Sequence, residues 1–269
     1  MTTLETAPVL VPHRSPSLRW SWGLLANLVA RNLRVKYQRS ALGFVWTLLN
    51  PLLTVGVLIA VFHYVVRIQV PHYWAFLLSG YFVWSFTLQT LTAATTVLPE
   101  HAHLARSLPL PSEVLITATV LSRLVEFLAE LALVLILLAA FHHGGVPAGY
   151  LWLPALILLQ VALVLGLTLP IATLSAFFHD VQHALPLGLM VLFYVSPVFY
   201  PASLVPERLR PWYQLNPFAG LLTAYQSALY QGHAPAPGPL ALTAAEALVI
   251  AGIGYAIFRR YRALLPEIV

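Results

Sequence analysis

The run LGFVWTLLNPLLTVGVLIAVFHYVV, residues 42–66, holds no Asp, Glu, Lys or Arg. It exceeds the roughly 20 apolar residues that a helix needs to cross bilayer hydrocarbon. Five further stretches read the same way, at 73–98, 114–141, 151–177, 184–200 and 240–258. The fifth is short and holds Pro186 and Pro197, which predicts a bent or partly re-entrant helix, since each proline removes a backbone hydrogen bond. Bulk composition agrees. The chain is 59% hydrophobic and only 9% charged, against about 25% charged in a soluble domain. A mean hydropathy of +0.81 would leave far more apolar surface than one soluble core could bury. The expected fold class is an all-α polytopic membrane protein with six transmembrane helices. No cysteine is present, which excludes disulfides and thiolate chemistry.

Outward from the first span, the pattern changes. Leu18, Trp22, Leu25, Val29 and Leu33 recur at spacings of four and three, while Asn27, Arg31, Arg34 and Gln38 fall on another face. Basic residues opposite Trp and Leu predict an amphipathic interfacial helix at 18–40, lying among headgroups. An ordinary solvated basic helix is the alternative. Residues 1–17 carry Pro8, Pro12 and Pro16 without periodicity and read as a flexible tail. With the first apolar run starting near Leu42, no cleavable signal peptide is expected. The six-helix transmembrane domain is expected over 41–262, followed by a cytoplasmic tail at 263–269. Its proline-rich stretch at 198–239 contains an apolar segment, Phe218 to Tyr230, too short to span and suited to an outer re-entrant helix.

Counting Lys and Arg orients the bundle. With the N-terminus inside, Arg14, Arg19, Arg31, Arg34, Lys36, Arg39, Arg106, Arg259, Arg260 and Arg262 are cytoplasmic, and only Arg67, Arg208 and Arg210 lie outside. Both termini are therefore expected in the cytoplasm, in a multi-pass protein of the cytoplasmic membrane. The basic residues flank apolar runs, so membrane lipid explains the net charge of +5 better than nucleic acid does.

No catalytic constellation emerges. The chain has one lysine, Lys36, with no Gly-rich loop before it, so a Walker-type phosphate loop is absent. His179 and His183 would share one helical face at i and i+4, a zinc-compatible spacing. With one carboxylate nearby, a polar turn is the preferred reading and no metal site is expected. His101 with His103, and His142 with His143, are weaker still. More informative are Arg123, Glu126 and Glu130, three and four apart inside the third span. Intramembrane charges are costly unless paired or wetted, so a self-neutralising network is expected there, with Glu246 as a further candidate partner. Trp46, Tyr73, Trp74, Trp84, Tyr194, Phe199, Tyr200, Trp212 and Tyr213 concentrate near predicted span ends, as an aromatic belt would. A lining for a sugar-bearing substrate is the alternative. On that alternative, Trp46, Trp84, Arg123, Glu126, Glu130, Tyr194, Phe199 and Tyr200 would lie on the substrate path.

At Lys36–Leu53, KYQRSALGFVWTLLNPLL, the chain resembles permeases of ATP-binding-cassette exporters of polysaccharide and teichoic acid. LLSGYFVWSF (77–86), RSLPLPSEVL (106–115), FFHDVQHALPLGL (177–189) and VSPVFYPASLVPERLRPWYQLNP (195–217) follow in the same order. The resemblance covers about residues 20–262 and rests on the ordered set rather than any one motif. It implies a homodimer with two separate ATPase subunits, which would bind ATP and Mg. It further implies that this chain holds no cofactor and is a transport subunit rather than an enzyme. The implied cargo is a lipid-linked anionic glycopolymer passing between the two permeases. Glu100, His103, Arg106, His179 and Asp180 would contact the ATPase, and Arg31, Arg34, Lys36 and Arg39 would form a basic surface on the interfacial helix. Three positions depart from the family pattern: His179 where Arg is common, Leu108 where an aromatic is frequent, and Gln226 where Arg often stands. The LNPLL spelling at 49–53 leans toward wall teichoic acid. O-antigen or capsule polysaccharide and small-molecule export are the alternatives. A membrane glycosyltransferase or acyltransferase is a more distant one, since its acid–base groups are not assembled.

Overall fold

The computed structural model describes residues 18–38, 40, 42–100, 111–139 and 147–265. The predicted tail at 1–17, Arg39, Leu108, the histidines 101, 103, 142 and 143, Arg106 and residues 266–269 lie outside them. Among the described residues every regular element is helical. The chain runs α1 (Leu18–Tyr37), α2 (Val45–Ile59, continued by a π turn at Ala60–Val65), α3 (Tyr73–Ala94) and the short α4 (Val97–Glu100). Then follow α5 (Ser112–Ala139), α6 (Leu153–Phe177, after a 3-10 turn at Ala148–Trp152) and α7 (Asp180–Val195). The chain closes with α8 (Arg210–Gln214), α9 (Pro217–Leu229) and α10 (Pro237–Tyr261).

Three of these segments are long and apolar enough to cross a membrane by length and composition: Val45–Val65, Ala148–Phe177 and Pro237–Tyr261. α3 and α5 are long enough but more polar. α3 carries Ser79, Ser85, Thr87, Gln89 and Thr90, and α5 carries Arg123, Glu126 and Glu130. Both differences follow from position. α3 is packed against α2, α5, α6 and α9, and most of its side chains are buried from Tyr73 to Ala94. A helix surrounded by protein can bear hydroxyls that bond back to its own carbonyls, as Thr87 does to Val83 and Thr90 to Phe86. The 16 residues of α7 span about 24 Å, short of the hydrocarbon thickness. Its Pro186 lies inside the helix, and the chain then bends through the buried Ser196–Phe199.

That bend and the short helices after it are stitched to the bundle. Asn216 caps α9, its side chain accepting from the Phe218 N–H at 3.0 Å and donating to Ser196 Oγ at 3.0 Å. Gln226, at the position where the family often shows Arg, is buried and donates to the Pro197 carbonyl at 2.6 Å. Tyr73, expected in an interfacial belt, is instead 2% exposed and donates to the Phe199 carbonyl. Trp84 corrects the belt expectation too. It sits in the middle of α3, buried against Phe193 and Phe218, where an aromatic fills the gap between helices.

Deeper in, Gln160 of α6 joins three helices. Its Nε2 donates to the Val83 carbonyl of α3 at 2.9 Å, and its Oε1 accepts from Tyr225 of α9 at 2.9 Å. Tyr225→Phe is expected to cost about 1–2 kcal/mol, because the fully buried Gln160 Oε1 would lose its donor. Thermal unfolding in detergent would measure it.

Candidate functional site

At one end of the bundle, α1, the last turns of α3, the first half of α5 and the start of α7 enclose a cleft of about 830 Å³. The pairing of α1 with α5 shapes it. Leu28 is buried in a cluster with Leu115, Ile116 and Ala118. One turn on, Asn32 Nδ2 donates to Ser122 Oγ at 3.3 Å. One turn further, Lys36 Nζ donates to Glu126 Oε1 and Oε2 at 2.7 and 2.9 Å. Both polar pairs are 90 residues apart in sequence, so the two helices run side by side in the same direction and in step. The buried face of α1 centres on Leu28 rather than on Trp22, which is 65% exposed. The other face, with Asn27, Arg31, Arg34 and Gln38, is exposed as expected.

Glu126 is the focus. Besides Lys36 it accepts from Arg123 Nη1 at 2.9 Å and from the Tyr37 hydroxyl at 2.6 Å. Tyr37 in turn pairs with the Thr47 hydroxyl of α2. Arg123 reaches Gln89 Oε1 of α3 at 3.4 Å, and Gln89 bonds Ser85. Two cations and a phenol thus converge on one nearly buried carboxylate and tie α1, α2, α3 and α5 together. Burial first, then the Arg123 guanidinium, pull the Lys36 ammonium below the usual lysine range, while its bonds to Glu126 pull it back up. Along the cleft, Arg31, Lys36 and Arg123 face Glu126 and Glu100. Three cations against two carboxylates favour an anionic or polar guest over a neutral apolar one.

The predicted network is therefore partly corrected. Arg123 and Glu126 pair, but Glu130 takes no part, and neither of its buried oxygens has a hydrogen-bond partner. Glu246 is not its partner, and its own oxygens are likewise buried without one. Of the missing members, Lys36 could have been suspected from charge, whereas the neutral Tyr37 gives no such signal. Arg123, Glu126 and Glu130 sum to one uncompensated negative charge, and the chain has a single lysine to offer.

Other candidate residues scatter. Glu100 and His183 lie along the cleft, with His179 and Asp180 exposed at the start of α7. Trp84 and Phe199 are core residues. Tyr194 is 57% exposed, Tyr200 is half-buried, and Trp46 is 41% exposed at the start of α2.

Against known families, residues 24–230 match the ABC-2 type transporter model. The chain belongs to that family. It is 31% identical over 248 residues to the O-antigen export system permease protein RfbA of Myxococcus xanthus, covering 91% of this chain and 95% of that protein. A Klebsiella pneumoniae protein of the same name is 27% identical over 80% of this chain and 83% of its own length. The polysialic acid transport protein KpsM of Escherichia coli is 23% identical, over 89% and 94% respectively. This ABC-2 permease thus carries its cleft at a place inside the matched region, between α1 and α7. The relatives are named for O-antigen and polysialic acid, and the teichoic-acid leaning drawn from LNPLL at 49–53 finds no support among them.

Proposed function

We propose that this permease is the membrane-spanning half of an ATP-driven exporter of an O-antigen- or capsule-class polysaccharide, acting as a homodimer with two separate ATPase subunits. The observation that carries the reading is the likeness, over nearly its whole length, to a permease named for O-antigen export. The chain's own chemistry supports the need for an outside motor, since its one lysine is held by Glu126 at the end of α1 rather than in a phosphate loop. On this reading six helices span the cytoplasmic membrane, α1 runs beside the inner half of α5, and both termini are cytoplasmic. Exposed Leu187, Val191 and Tyr194 on α7, with Leu53, Val57 and Val61 on α2, would face lipid or the second copy. The cargo would pass between copies, and ATP-driven closure of the motors would act through Glu100, His179 and Asp180. Such closure moves the bundle only through contacts that differ between its two states.

Co-reconstitution with the partner ATPase and lipid-linked polysaccharide tests the reading. Polysaccharide-stimulated ATP hydrolysis and transport into vesicles are expected, and a teichoic-acid polymer that stimulates better would shift the cargo class. Arg31, which lines the cleft, and Arg34, exposed on the same helix, would attract an anionic polymer. Replacing both with Gln should slow transport roughly tenfold at low salt and less at high salt, with unfolding temperature unchanged. Equal loss at both salt concentrations would instead indicate a role in anchoring α1.

A further inference from the structure

The steps of four that join α1 to α5 do not end where α1 ends. Leu28 in the cluster that holds Leu115, Ile116 and Ala118, then Asn32 on Ser122, then Lys36 on Glu126, mark three successive turns of α1. The next position on α5 in that series is Glu130, and α1 stops at Tyr37. Glu130 is 1% exposed, and both of its oxygens lack hydrogen-bond partners. Besides Arg123 and Glu126 on its own helix, Lys36 of α1 and Tyr81 of α3 are near enough for charge to act between them and Glu130. A buried carboxylate with no donor is costly. Glu126, one turn away, receives three donor groups at once.

We infer that Glu130 is the second seat of a two-position latch, taking the Lys36 ammonium when α1 moves one helical turn along α5 during transport. A shift of one turn is about 5.4 Å, a discrete step of the kind packed helices make. It would move Lys36 from Glu126 to Glu130 and Asn32 from Ser122 to Glu126. In that second register Glu126 keeps Arg123 and gains the Asn32 amide, while Glu130 gains a cation. Ser122 Oγ would give up its Asn32 donor while still bonding the Ala118 carbonyl, Glu126 would exchange Lys36 and Tyr37 for Asn32, and the empty Glu130 would fill. Glu130 is thus a positioning residue for α1, acting through Lys36, and not a contact for the cargo. The inference rests on the exporter reading, which supplies the force that moves α1.

The chain has no cysteine, so an introduced pair reports one distance cleanly. Asn32→Cys with Ser122→Cys marks the present register. In the complete complex with its ATPase, disulfide yield should be high without nucleotide and fall several-fold after trapping with Mg-ATP and vanadate. In the Glu130→Gln background the yield should stay high in both conditions, and export should fall about tenfold. Glu130→Asp should recover part of both. Closing the disulfide should stop export, and reductant should restore it in the same sample. Unchanged yield on trapping, or normal export with the disulfide closed, would overturn the latch while leaving the exporter intact. A parent complex with no vanadate-sensitive hydrolysis would overturn both.

Discussion

Glu126→Gln is expected to lower stability by about 2–3 kcal/mol and to release α1 from the bundle. Removing one partner of a buried ion pair costs about 3–5 kcal/mol when the charge left behind has nowhere to go. Here the loss is smaller, because the Lys36 side chain is 37% exposed and can turn to water. Arg123 is less free, at 24%, and would keep only Gln89. The glutamine could still accept from Tyr37, so part of the α1–α2 connection survives. The check is twofold: thermal unfolding in detergent, and the rate at which protease cuts within α1. Lys36→Met combined with Glu126→Gln should be less destabilised than the sum of the single changes, since the pair is removed together. Full additivity would mean that the two side chains do not act as a unit.

Gly254→Val should have a larger effect, about 3 kcal/mol or more, with little monodisperse protein recovered. α6 and α10 cross where Gly166 meets Gly254 and Ala251, and their backbones touch there. A Cβ at Gly254 would land on the Gly166 carbonyl oxygen, and one at Gly166 would strike the Ala251 backbone. No side chain is available to move aside, so the helices themselves must separate. In a bilayer this close approach is a main source of helix association, because lipid offers little hydrophobic drive between helices. Gly252→Val, two residues away with open space around it, is the control. Equal losses at both positions would point to helix propensity rather than contact.

Much of the fold is legible in the sequence because hydropathy is a one-dimensional signal. The span read at 151–177 corresponds to Leu153–Phe177, and that at 240–258 lies within Pro237–Tyr261. The pairing of Arg123 with Glu126 was equally legible, since three residues on a helix share a face. Contacts between helices were not. Lys36 and Glu126 are 90 residues apart, and nothing in either helix's own pattern states their register. Trp84 and Tyr73 misled for a related reason. Tyr73 opens α3, where an aromatic serves an interface or a core equally well, and for Trp84, in the middle of that helix, only its neighbours decide. Gly166 and Gly254 gave no signal singly, because a close approach needs two partners. Glu130 was misplaced because spacing along α5 groups it with Glu126, whereas α1 ends one turn too early to reach it.

The packing of α3 on all sides bears on how the chain is made. On the six-span reading, α3 and α5 are the two long helices least suited to lipid alone, one for its hydroxyls and amide, the other for its charges. A helix that leaves the ribosome's membrane channel is sorted largely by the side chains it would show to hydrocarbon. α2, already apolar, would settle first and stand beside α3 as it emerges, and α6 would close over both. Biogenesis would then hinge on neighbours arriving in order: α1 and α3, which hold the partners of Glu126 and Arg123, are already made when the charged α5 emerges.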